Sequence, residues 1–105
     1  MKAFNQGLKY HNKPTIIDGI RFASKKEAQR YCELKVLEKQ GEIKDLKLQP
    51  RFKMAPGFTY ISDFSYHSNG KLIVEDVKGV MTQVFILKKK CFTYFYPEYE
   101  LRIMR

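Results

Sequence analysis

The sequence predicts an α/β (α+β) fold: a central mixed β-sheet flanked by two helices and preceded by an N-terminal hairpin. Three observations predict it. Apolar residues recur at helical spacing in two segments, near 24–40 and 82–95. Runs rich in aromatic and β-branched residues lie between and after them. Asp18-Gly19 and Asn69-Gly70 mark two tight hairpin turns.

The elements follow in order. Residues 1–13 are polar and basic (Lys2, Lys9, His11, Lys13) and form an arm, read either as a frayed terminus or as a DNA contact. Residues 14–105 form one domain. Residues 14–22 fold as a hairpin turning at Asp18-Gly19, because a type I′ turn needs positive φ at both central residues. Ser24 opens the first helix with Glu27 at capping-box spacing, and Gly41 stops it after about Gln40. Short strands at 43–49 and 51–54 are separated by Pro50. Residues 58–67 form a longer strand, turned at His67-Ser68-Asn69-Gly70 onto a return strand at 71–78 that Gly79 ends. A second helix spans 82–95 and stops before Pro97, and 99–104 is the last strand.

Lys and Arg number 20 against 11 Asp and Glu, a net charge of +9 that favours a polyanionic partner, most often nucleic acid. No apolar run approaches the ~20 residues a membrane span needs, and no apolar leader begins the chain, so a cytoplasmic protein is expected. Cys32 and Cys91 lack CxxC spacing and read as reduced core residues of the two helices.

The chemistry concentrates on the 58–78 hairpin. Side chains alternate along a strand, so Asp76 and Lys78 share a face while Glu75 and Val77 point the other way. Asp63 interrupts the partner strand, where a lone carboxylate is a poor strand former and costly to bury. Two converging carboxylates suit a hard divalent cation such as Mg²⁺, with Mn²⁺ as a substitute. A neighbouring lysine can hold water or stabilise charge on a phosphate. The plainer reading is a cross-strand salt bridge on a solvated face. On the first helix, Glu27 falls between Leu34 and Tyr31 on the apolar face, either completing a metal site or only closing the cap with Ser24. On the second, Val84, Leu87, Cys91, Phe92 and Phe95 form the apolar stripe. Lys88 lies inside it, reaching either toward the carboxylates or a phosphate, or snorkelling to solvent. Lys89 and Lys90 face outward and serve phosphate contacts.

Glu27, Asp63 in Ile-Ser-Asp-Phe and Asp76-Val77-Lys78 in Val-Glu-Asp-Val-Lys-Gly resemble the motif set of the PD-(D/E)xK nuclease superfamily. Ser62 stands where the motif has proline, and Asp stands at 76 where Glu is more frequent. Tyr-His-Asn-Lys, Phe-Ala-Ser-Lys-Lys-Glu-Ala, Leu-Gln-Pro-Arg-Phe and Asp-Val-Lys-Gly are similar, more narrowly, to a family of small phage and prophage endonuclease-like proteins, over nearly the whole chain beyond residue 10. The resemblance implies a restriction-endonuclease-like αβββαβ core. It makes Asp63 and Asp76 metal ligands with the Val77 carbonyl a third, and gives Glu27 a part in binding or orienting the metal. Lys78 would assist the nucleophilic water, and Gln49 would be an accessory active-site residue.

The expected function is Mg²⁺-dependent hydrolysis of DNA phosphodiesters. Branched or junction DNA is favoured by analogy at the level of fold alone. Cutting both strands calls for two sites and hence a homodimer. A non-catalytic basic DNA-binding module of the same fold explains the charge equally well, but not the convergence of acids, which repel phosphate unless a cation intervenes. A phage protein that binds a host protein is a third reading.

Overall fold

The structure, a computed structural model, describes residues 14–105. It is α+β, with two helices and a mixed sheet. The chain divides into two compact units, Met1–Glu33 and Leu34–Arg105, with the division inside the first helix.

In the first unit, β1 (Thr15–Ile17) and β2 (Ile20–Phe22) pair antiparallel. Asp18 and Gly19 take φ of +53° and +75°, the left-handed values a type I′ turn requires. Phe22 packs on Tyr31 with ring centroids 4.9 Å apart, and the Tyr31 hydroxyl donates to Asp18 Oδ2 at 2.9 Å. Helix α1 spans Lys25–Lys39, and its Glu27 N–H donates to Ser24 Oγ at 3.1 Å, the expected cap.

In the second unit, α1 ends in a Schellman motif. Gly41, at φ +80°, donates to the Glu38 carbonyl, and Glu42 donates to that of Leu37. Next come β3 (Lys44–Leu48), β4 (Arg51–Ala55), β5 (Phe58–Ile61), β6 (Phe64–Ser68), β7 (Lys71–Val77), α2 (Gln83–Phe95) and β8 (Tyr99–Met104). The central sheet has the order β3-β6-β7-β8, antiparallel except for the last pair. β8 lies parallel to β7 because α2 carries the chain back across the sheet between them. β4 and β5 form a separate antiparallel pair between β3 and β6 in sequence. Among the described residues, no helix is long and apolar enough to cross a membrane.

Three expectations need correction. The strand expected over 58–67 is broken at Ser62-Asp63, since Ser62 donates to the Pro50 carbonyl and Asp63 to that of Glu75, turning the chain from one sheet into another. On α2, Phe85 and Phe92 are buried, whereas Val84, Leu87 and Phe95 are exposed and Lys89 is half-buried. Phe85 and Phe92 are the rings that meet Phe52, Tyr60 and Tyr99 beneath the helix, so the buried stripe is rotated from the one hydrophobicity alone favours. Cys32 is exposed and only Cys91 is half-buried, though both are free thiols as expected.

Phe52, Met54, Tyr60, Val74, Phe85 and Phe92 form the core of the second unit. Phe92 is fully buried, with its ring 4.9 Å from that of Phe52, 5.3 Å from those of Tyr60 and Tyr96, and 5.8 Å from that of Tyr99. Phe92→Ala leaves a cavity those rings cannot close. It is expected to cost about 4 kcal/mol, read as a lowered denaturation midpoint; a loss below about 1 kcal/mol would show that the core repacks.

Candidate active site

Asp63 occupies the bend between β5 and β6 and is held from three directions. Its N–H donates to the Glu75 carbonyl at 3.1 Å, and its own carbonyl accepts from Gln49 N–H at 2.9 Å. Its Oδ2 accepts from Val77 N–H at 2.7 Å. Gln49 sits at φ +51°, where a non-glycine side chain is strained, so its backbone is committed to fixing Asp63 while its side chain faces solvent.

Asp76 lies on β7 and is 1 % exposed. Its Oδ2 has no hydrogen-bond partner among the described residues. Burial pushes its carboxyl up from an ordinary 3.8 to about 6, against the pull of the Lys78 charge and the Asp63 backbone amide. Burial also raises Asp63, opposed by its bond from Val77 and by the Lys78 charge. Lys78 extends the β7/β8 ladder by donating its N–H to the Met104 carbonyl at 2.9 Å, and its ammonium stands 4.5 Å from the centre of the Phe85 ring. Glu75 is also fully buried, but it accepts a hydrogen bond from the Tyr66 hydroxyl and is thereby engaged in the core.

A buried carboxylate oxygen lacking any donor fits a cation, and Asp63 stands beside it. Among the described residues, no group of three His, Cys, Asp or Glu side chains is placed to hold a metal ion. A metal held by Asp63 and Asp76 would complete its shell with backbone oxygen and water, which suits Mg²⁺.

Asp63, Asp76, Val77, Lys78 and Gln49 are therefore brought together. Glu27 is buried on the first turn of α1 and belongs to the first unit. Lys9 and Lys13 lie outside the described residues.

The family model DUF1064, described as a protein of unknown function, matches residues 7–105. The chain belongs to the DUF1064 family. No curated protein and no solved structure matches it significantly.

In this DUF1064 chain, Lys78 also borders an open groove of about 260 Å³ whose walls include Tyr60, Thr82, Phe85 and Lys88. Thr82 caps α2 by accepting from Phe85 N–H at 3.1 Å. Lys88 is half-buried and donates to the Thr59 carbonyl at 3.2 Å. Lys90 is exposed. Sequence reasoning missed Tyr60, Thr82 and Phe85. The spacing Thr82-x-x-Phe85, a cap with a ring three residues on, signals the last two, and nothing in the sequence signals Tyr60.

Proposed function

We propose that this DUF1064 protein is a metal-dependent DNA endonuclease of the PD-(D/E)xK type. The observation that carries the reading is Asp76 Oδ2, buried without a donor, with Asp63 and the Lys78 charge beside it. The order α1, β3, β6, β7, α2, β8, with β4 and β5 intercalated, also suits the αβββαβ pattern of that superfamily.

Asp63 and Asp76 would hold Mg²⁺ or Mn²⁺, with the Val77 carbonyl as a third ligand. When bound, the metal would lower the pKa of an attacking water and offset charge on the phosphate. Lys78 orients that water and stabilises the charge that develops in the transition state. Gln49 keeps Asp63 in place through the backbone bond. Lys88, Lys89, Lys90, Lys9 and Lys13 contact phosphates without reading sequence. A homodimer acting on branched DNA, phage- or prophage-encoded and working in the cytoplasm of the host cell, completes the reading.

The test incubates the protein with supercoiled plasmid and with a four-way junction, in Mg²⁺, Mn²⁺ or EDTA. Metal-dependent cleavage lost in Asp76→Ala is expected. Absence of cleavage on every DNA removes the proposal, and cleavage that survives Asp76→Ala places the activity elsewhere. A non-catalytic DNA-binding module is the second reading, favoured by the lack of a three-ligand group among the described residues. DNA retention without cleavage selects it.

A further inference from the structure

The groove bordered by Lys78 carries features that the carboxylate site does not use. Tyr60 lines it and is 2 % exposed, yet its hydroxyl has no hydrogen-bond partner among the described residues. A buried hydroxyl in that state has given up water and received nothing in return. Two lysines, Lys78 and Lys88, stand in the same wall, and like charges held together favour an anion between them. Of the three donors on the Lys88 ammonium, one goes to the Thr59 carbonyl, and a donor remains for a ligand. Thr82 places the N-terminus of the 13-residue helix α2 at the groove, and no acidic residue occupies its first turn to offset the positive end of the helix dipole. The groove is therefore walled by Tyr60, whose hydroxyl is buried and without a partner among the described residues, by two lysines and by a helix N-terminus, with no acid among the residues that line it.

We infer that this groove binds a phosphate group, held by Lys88, the Tyr60 hydroxyl and the first turn of α2, with Lys78 shared between it and the carboxylates. The inference rests on the nuclease reading for the source of the phosphate, the linkage next to the one cut. The anion-binding chemistry stands without it. Lys88 and Tyr60 are then positioning residues that set which linkage faces Asp63 and Asp76.

The experiment measures binding without cleavage. Wild type, Lys88→Met and Tyr60→Phe are titrated in EDTA with inorganic phosphate and with thymidine 5′-monophosphate, following the backbone amide resonances of residues 82–86. Both probes are expected to shift those amides in wild type. Lys88→Met is expected to bind about tenfold more weakly, the scale of one charge-assisted hydrogen bond. Tyr60→Phe should weaken binding several-fold yet leave the thermal midpoint unchanged or raised, because it removes a hydroxyl without a partner. Tighter binding of the nucleotide than of the free ion assigns the subsite to a polynucleotide, and equal binding assigns it to the bare anion. Amides 82–86 that do not respond at tens of millimolar phosphate overturn the inference, as does a response unchanged in Lys88→Met. If the subsite holds but no DNA is cut in the plasmid and junction assays, the nuclease reading fails and this one survives.

Discussion

Asp76→Asn is expected to stabilise the metal-free protein by about 2 kcal/mol at neutral pH while abolishing metal-dependent cleavage. The Asp76 carboxyl, raised to about 6 from 3.8 by burial, keeps its proton in the folded state between those values while the unfolded chain releases it. The folded state therefore binds more protons in that window, and stability falls as pH rises from about 4 to about 6 and levels off above. Two pH units correspond to on the order of 3 kcal/mol. Asparagine removes that charge penalty, but its amide still meets no partner, so the gain is smaller. Asp63 is raised in the same direction and leaves a weaker slope of the same sign in the variant. Mg²⁺ should raise the thermal midpoint of wild type and leave that of Asp76→Asn unmoved, because a ligand stabilises only the state that binds it. The prediction fails if the variant is less stable than wild type in EDTA at pH 7, or if its midpoint responds equally to Mg²⁺.

Lys78→Met is expected to lower cleavage by about 10²- to 10³-fold at saturating metal, the scale of one lost electrostatic group in the transition state. Methionine preserves the packing against Phe85 while deleting the charge. Lys78 is also the main influence holding the Asp76 carboxyl down, so its loss should push that carboxyl further up. The acid limb of the pH–rate profile should move to higher pH in the variant. A reduced rate with an unmoved limb would mean that Lys78 acts only on substrate. An unchanged rate would remove it from the mechanism.

Local signals carried much of the fold. Asp18-Gly19, Ser24 and Gly41 each act within a few residues, and each produces the turn or cap expected of it. That Asp63 and Asp76 lie at the same end of one hairpin was legible because the tight turn at Asn69-Gly70 fixes the register that pairs Phe64 with Glu75. What was not legible depends on distant partners. The break at Ser62-Asp63 is made by carbonyls of Pro50 and Glu75, both more than ten residues away. The buried face of α2 is selected by rings on β4, β5 and β8, so hydrophobicity along the helix could not separate Phe85 from Val84. Tyr60 escaped notice because a tyrosine in an apolar strand looks like any core ring until its hydroxyl is accounted for.

The β4–β5 pair leaves the central sheet after β3 and returns at Asp63, and two bonds close its base: Gln49 N–H to the Asp63 carbonyl and Ser62 N–H to the Pro50 carbonyl. The detour is thus tied off beside the carboxylates, while Pro56 and Gly57 turn its far end in solvent. Lengthening that tip adds only a slowly growing loop entropy and leaves both closing bonds in place. Divergence in length among relatives should therefore gather at Pro56-Gly57, where added residues leave the bonds around Asp63 untouched.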